Sequence, residues 1–232
     1  MPRRARLRAA GIPLHLIQRG HDRRACFFAN EDYRFYLHQL AELSRRFECP
    51  VHAYVLMTNH VHILLTPTTD EGASLLMKNL GQRYVQYINR VYRRRGTLWE
   101  GRFRSCFVDR LEYFLKCHRY IELNPVRAGM VRHPSEYRWS SYRSNAEARP
   151  SKIIQPHDEY LALGSTDDER CAAYRDLFRC DLDPEDLKKI RSAATGNFAL
   201  GNDRFRQDIE AMIGRSVTRE RQSRFLAKGT VP

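Results

Sequence analysis

From residue 14 to residue 124 the apolar positions switch between the two-residue period of strands and the 3.6-residue period of helices, and the order of those switches leaves few topologies open. Residues 14–19 read as a strand bounded by Pro13 and Gly20. Residues 31–47 repeat Phe35, Leu37, Leu40, Leu43 and Phe47 near helical spacing, with Asn30 placed as the N-cap. Two β-rich runs, 51–57 and 61–66, are separated only by Thr58-Asn59, which predicts a hairpin. Leu76, Leu80, Tyr84, Tyr87, Ile88 and Val91 predict a second helix over 75–91, ending in Arg93-Arg94-Arg95-Gly96. Residues 97–108 carry Trp99, Phe103 and Phe107 and read as a strand bent at Gly101, and 111–124 read as a third helix stopped by Pro125. The order strand, helix, strand, strand, helix, strand, helix with short connections predicts an α+β fold, a ferredoxin-like antiparallel sheet with packed helices. After Pro150 helices are expected near 168–180, 184–193 and 203–213, so the chain divides into residues 1–150 and a small helical C-terminal region, 151–232.

Charge divides at the same place. Residues 1–150 hold 26 Lys and Arg against 13 Asp and Glu, and residues 151–232 hold 14 of each, so the whole formal charge of +13 sits in the first part. Such a surface suits a polyanionic partner. A chain of 232 residues buries a core without staples, and its six cysteines include no C-x-x-C pair, which argues against a zinc finger or a disulfide framework. Reduced thiols, no apolar run behind the basic N-terminus and no stretch of membrane-spanning length make a cytoplasmic protein the expectation.

His60-Val61-His62 places two imidazoles on one face of a strand, where together they can hold one metal ion. Pairs of this kind are also common as ordinary polar-face residues, so neighbours must decide. Tyr120 and Asn124, four apart on the third helix, share a face, whereas Leu111, Phe114, Leu115 and Ile121 are expected to form the apolar stripe on the other; Tyr120 is therefore not expected in the core.

Four segments carry a resemblance to a known family: Gln18-Arg19-Gly20, the run from His52 to His62, Gly96 to Ser105, and Arg119 to Gly129, which contains Tyr120, Asn124 and Arg127. Over about residues 10–145 the chain resembles the REP-associated tyrosine transposases, within the IS200-type, HUH, single-tyrosine superfamily. The resemblance implies an HUH endonuclease fold with His60 and His62 as the metal pair, Tyr120 as nucleophile and Asn124 as third protein ligand. It further implies a bacterial enzyme that nicks single-stranded or hairpin DNA, with repetitive extragenic palindromes (REP) as substrate and a monomer or homodimer as the working unit. Thr58 stands where Pro is usual before Asn-His, and His21 where Asn is usual after Arg-Gly; neither touches the three roles.

The chemistry asks for these residue types. A free phenol titrates near 10, so a tyrosine nucleophile needs its developing charge offset, and a divalent cation on the scissile phosphate does that. Two imidazoles and one amide oxygen leave positions open for water and phosphate, which fits Mg²⁺ or Mn²⁺ better than a closed zinc site. Attack leaves a 5′-phosphotyrosine and a free 3′-hydroxyl, so a second DNA end can reverse the step. Arg19, Arg90, Arg93, Arg94, Arg102, Arg104 and Arg127 are the expected phosphate contacts, with Arg3, Arg4, Arg6, Arg8 and Arg95 as further candidates. Tyr113, seven residues before Tyr120, lies near the same helical face and competes for its role; His118 and Glu122 point elsewhere. Tyr84, Tyr87 and Tyr92, interleaved among basic residues, can stack unpaired bases, but Tyr84, Tyr87 and Ile88 also fit a core stripe, and at least two of the three tyrosines are expected in the core. The competing class is a noncatalytic nucleic-acid-binding protein on an RRM-like sheet, and a decayed transposase that binds without cutting is a third reading.

Overall fold

The computed structural model describes residues 8–217. Arg3, Arg4 and Arg6 lie outside the described residues. Six elements form a β-α-β-β-α-β unit: β1 (Leu14–Arg19), α1 (Asn30–Arg46), β2 (Val51–Met57), β3 (His60–Leu65), α2 (Gly72–Val91) and β4 (Arg104–Phe107). The sheet order is β2-β3-β1-β4 and every pairing is antiparallel, which is the ferredoxin-like arrangement expected from the pattern of periods.

Helices cover both faces of the sheet, which is why every residue of β2 is buried. A Cβ added to Gly81 of α2 would sit 3.6 Å from Gln18 Nε2, so α2 lies on the face of β1 that carries Gln18. On the opposite face lies α3 (Arg110–Glu122), whose Tyr120 ring meets His15 and His62. Alternation then sorts the strands: Leu14, Leu16 and Gln18 look toward α2, whereas His15, Ile17 and Arg19 look toward α3.

The chain closes both edges of its own sheet, removing the open ladder that would pair with another strand. At the β4 edge, Leu200 N donates to Phe107 O at 2.8 Å, Asp109 N to Leu200 O at 2.8 Å and Ser105 N to Asn197 Oδ1 at 2.9 Å. At the β2 edge, Leu56 N donates to Trp139 O at 2.9 Å and Gln155 N to Val51 O at 2.8 Å. Beyond α3 the described chain is helical: α4 (Asn124–Arg127), α5 (Tyr142–Glu147), α6 (Asp158–Leu161), α7 (Asp167–Asp176), α8 (Pro184–Gly196) and α9 (Asp203–Ile213). Leu182, Ile190, Leu200 and Ile209 join the same apolar core as Leu16 and Phe107, and Tyr142, Ala146, Tyr160 and Tyr174 form a smaller second cluster. Among the described residues no helix is long and apolar enough to cross a membrane.

Several local expectations are corrected. Asn30 is the first residue of α1 and not its cap; Asp32 Oδ2 reaches back to accept the Phe28 and Ala29 amides at 2.8 and 2.9 Å, a carboxylate serving the orphan donors of the first turn. The strand expected over 97–108 shrinks to Arg104–Phe107, because Gly101 takes φ +130° and Trp99 makes only a single bridge to Gly20. The third helix breaks at Leu123, before Pro125, and resumes for one turn in α4 with Pro125 in its first positions, where a missing N–H costs nothing. Leu111 is no part of the apolar stripe, being 78% exposed, whereas Tyr120 is only 7% exposed. Of the three tyrosines, Tyr84 alone is fully buried, whereas Tyr87 and Tyr92 are half-buried against the core, Tyr87 stacking on Phe35 at 4.0 Å and Tyr92 donating to Asp32 at 2.9 Å.

Candidate functional site

Three rows of side chains cross the sheet on the α3 face: Arg19 beside His60, then His62, Ile17 and Arg104, then Leu64, His15 and Cys106. His15 and His62 are diagonal neighbours on adjacent strands, with ring centroids 5.0 Å apart and planes 23° from parallel. His60 and His62 lie 5.1 Å apart, edge to face. Tyr120 descends from α3 onto this layer, its ring 5.8 Å from those of both His62 and His15. The structure thus brings the tyrosine to the histidine pair of its own chain.

Hydrogen bonds define which imidazole nitrogens are free. Asn59, in the hairpin turn, donates from Nδ2 to Arg23 O at 2.9 Å, and this turns its Oδ1 toward His60 Nδ1, 2.6 Å away. His60 must therefore carry its proton on Nδ1, which leaves the Nε2 lone pair unshared. His62 Nδ1 lies 2.8 Å from His15 Nε2. Neither His60 nor His62 has a hydrogen bond at Nε2 among the described residues. Burial pushes His60 down to about 4, and burial with the nearby His15 and His60 holds His62 well below the ordinary imidazole value, so both rings are neutral at neutral pH.

Asn124 sits where the helix breaks, and its Nδ2 donates to the carbonyls of Tyr120 and Ile121 at 3.0 and 3.2 Å. That anchors the amide by its donor and leaves Oδ1 as an acceptor. Two imidazole lone pairs and one amide oxygen fit a hard divalent cation that keeps several open positions. Among the described residues no group of three or more His, Cys, Asp or Glu side chains is placed to hold a metal ion, so such an ion would depend on the Asn124 amide and on non-protein oxygens.

Arg127, on the one-turn α4, places its guanidinium carbon 4.5 Å from the centre of the Tyr120 ring and donates from Nη2 to the Tyr120 carbonyl. Its Nη1 is buried and has no partner among the described residues. Burial lowers it to about 10, so the side chain stays cationic at neutral pH. Arg19, Arg90, Arg93, Arg94, Arg102 and Arg104 are exposed, as a phosphate-tracking surface requires. Cys26 N bonds to Thr58 O at 2.8 Å and His21 N to Leu98 O at 2.9 Å, so the loops after β1, β2 and α2 converge at the end of the sheet that carries His60.

The competing residues separate. Tyr113 is buried beside Lys116, whose amine lies 4.9 Å from its ring, and has no ring contact with the histidines. His118 is buried, donating from Nδ1 toward Tyr174 at 3.1 Å. Glu122 points away from the site, as expected, into a buried network: Ser141 Oγ and Asn145 Nδ2 donate to Oε1 at 2.5 and 2.9 Å, and Tyr174 donates to Oε2 at 2.8 Å. His15, Asn59 and this network went unread in the sequence, since each depends on register or on contacts between residues 19 to 52 apart in the chain; only the alternation of β1 put His15 on the face of His62.

A ferredoxin-like sheet with an H-x-H strand beneath a tyrosine-bearing helix defines the class. The chain belongs to the IS200-like transposases, whose family profile matches residues 9–124. Its activity is accordingly that of a transposase, and its resemblance to the tyrosine type holds at the level of fold. Among solved structures it is similar to a REP-associated tyrosine transposase bound to a REP hairpin, with a TM-score of 0.56 and 18% identity over 68% of this chain and 93% of that one. A second, a protein of Deinococcus radiodurans R1 assigned as a transposase, covers 52% of this chain and 96% of its own at 19% identity, with a TM-score of 0.37 that is too low to bear on the fold. No curated protein matches the chain.

Proposed function

We propose that this transposase is a metal-dependent single-stranded DNA endonuclease and strand transferase that works through a 5′-phosphotyrosine on Tyr120. The observation that carries this reading is the Tyr120 ring 5.8 Å from His62, on a histidine pair whose Nε2 atoms have no hydrogen bond among the described residues. His60, His62 and Asn124 would hold Mg²⁺ or Mn²⁺, which supplies polarisation of the scissile phosphate when bound. The remaining work falls to this chain's own groups. The phenol oxygen of Tyr120 attacks phosphorus, the new O–P bond replaces the P–O3′ bond, and the phenol proton ends on the departing 3′-hydroxyl. Arg127, cationic and in contact with the tyrosine ring, stabilises charge on the phenol oxygen as it develops. Because the ester is exchanged and not hydrolysed, a second 3′-hydroxyl reverses the step and joins strands.

The exposed Arg19, Arg90, Arg93, Arg94, Arg102 and Arg104 would hold the backbone of the DNA, and residues 1–150 would carry most of the affinity. That a protein of similar fold is bound to a REP hairpin supports REP hairpin DNA as the substrate. The contact of Tyr120 with histidines of its own chain supports a site complete within one copy.

The test is incubation of the full chain with 3′-end-labelled REP hairpin DNA and Mg²⁺, followed by denaturing electrophoresis. A shifted, denaturation-resistant band that disappears when EDTA is present is expected. Cleavage with no such band at any time would assign attack to water, and binding without cleavage would assign the chain to a noncatalytic nucleic-acid-binding role.

A further inference from the structure

The two histidines of the pair are held in different ways, and the difference gives a role to a third. His60 faces an amide oxygen, which can only accept, so its tautomer follows from Asn59 alone. His62 faces another imidazole, His15, at 2.8 Å, and a pair of neutral rings can share a proton in two senses. If His62 donates from Nδ1, its Nε2 lone pair is free for a cation. If His15 donates from Nε2, the His62 proton must sit on Nε2 and no cation can bind there. The state of His15 therefore decides whether His62 is a ligand.

We propose that His15 is a positioning residue for His62: it accepts the His62 Nδ1–H, fixes the ring orientation through that edge-to-edge bond, and so presents His62 Nε2 to the metal ion. This rests on reading His60 and His62 as the metal-holding pair. Three observations support it. His15, on β1, is wholly buried on the sheet face that α3 covers, a place where an apolar side chain would pack without desolvating two ring nitrogens. Its other nitrogen, Nδ1, has Cys106 Sγ 4.0 Å away, a weak acceptor on the adjacent strand that accommodates a proton on Nδ1 when Nε2 is accepting. Its ring also meets Tyr120 edge-on at 5.8 Å, so one side chain braces the ligand and the tyrosine together. A partner that orients a ligating imidazole and raises its basicity typically changes metal affinity 10- to 100-fold.

The experiment uses the full chain without DNA, with Mn²⁺ affinity measured by electron paramagnetic resonance for wild type, His62→Ala, His15→Phe and His15→Gln. Phe keeps an aromatic ring in the same space and removes the acceptor, whereas Gln restores an acceptor of similar reach. The proposal expects His15→Phe to weaken Mn²⁺ binding by roughly 10- to 100-fold and His15→Gln to recover most of it. Wild-type Mn²⁺ affinity in His15→Phe, or equal losses in Phe and Gln, would overturn it. Equal affinity in wild type and His62→Ala would instead remove the metal pair itself, which separates the two failures. Should either His15 variant fail to fold, long-range ¹H–¹⁵N spectra of the wild-type chain with Mg²⁺ decide: a His62 proton on Nδ1 supports the proposal, and one on Nε2 refutes it.

Discussion

Replacing Glu122 with Gln should stabilise the protein above neutral pH and not below pH 4.5, and the size of the effect follows from where the carboxylate sits. Glu122 is fully buried on the side of α3 away from the histidines, and burial, opposed by hydrogen bonds from Ser141, Tyr174 and Asn145, raises it from 4.5 to about 7. A carboxyl raised on folding binds its proton more tightly in the native state. Its contribution is therefore most favourable below about 4.5, declines as pH rises, and is fully lost above about 7. At 1.36 kcal/mol per unit, the span from 4.5 to 7 corresponds to about 3 kcal/mol. Gln is neutral throughout and can keep the network: its Oε1 accepts from Ser141 and Asn145, and its Nε2 donates to the Tyr174 oxygen. The Tyr174 hydroxyl then turns to His118 Nδ1, 3.1 Å away, with the His118 proton moving to its unpartnered Nε2. The assay is urea denaturation of wild type and Glu122→Gln from pH 4.5 to 8, taking the difference at each pH so that other titrating groups cancel. The variant should gain about 3 kcal/mol relative to wild type across that range, or roughly 6–12 °C in Tm for a chain of this size. A difference that stays flat with pH, or that falls as pH rises, would refute the account of this network. Because Tyr174 belongs to α7, the same experiment probes how the C-terminal helices are fastened to the tyrosine helix.

Three further outcomes are expected. Tyr120→Phe keeps the ring packing and should abolish cleavage and adduct together with unchanged hairpin affinity, whereas Tyr113→Phe should retain both; the reverse pattern moves the nucleophile to Tyr113. Arg127→Lys keeps a cation but loses the planar contact with the Tyr120 ring, so the cleavage rate at saturating DNA should fall about tenfold with Kd little altered. A weaker Kd at an unchanged rate would make Arg127 an affinity residue only. Affinity for single-stranded DNA should fall with salt at a log–log slope of roughly −4 if the six exposed arginines each engage one phosphate, and a slope near zero would contradict that surface.

The fold was legible because it is written in local periods. The hairpin at Thr58-Asn59, the strand bounded by Pro13 and Gly20 and the 3.6-residue repeat of α2 each follow from residues within one element, and their order admits little besides the ferredoxin-like sheet. Proximity of Tyr120 to the histidines followed from the family likeness, and the ring contacts agree with it. Burial of Tyr120 was misjudged because helical spacing alone ranks Leu111 as apolar core, whereas α3 begins at Arg110 with its first turn projecting into solvent. The extent of the strand before α3 was overestimated, since aromatic spacing over 97–108 does not reveal that Gly101 leaves the extended region. His15 and Asn59 carry no signature of their own: one acts through a diagonal across two strands, the other through an amide turned by the Arg23 carbonyl. Sequence patterns report which face a residue occupies but not which nitrogen of a ring is left free.

The most direct test of the central claim is to isolate the covalent complex formed with REP hairpin DNA and Mg²⁺, trim it with nuclease and protease, and sequence the modified peptide by tandem mass spectrometry. The account predicts a nucleotide attached through phosphate to Tyr120, in the peptide between Arg119 and Arg127, and to no other residue. Attachment at Tyr113 or any other side chain, or efficient cleavage with no modified peptide at all, would contradict it.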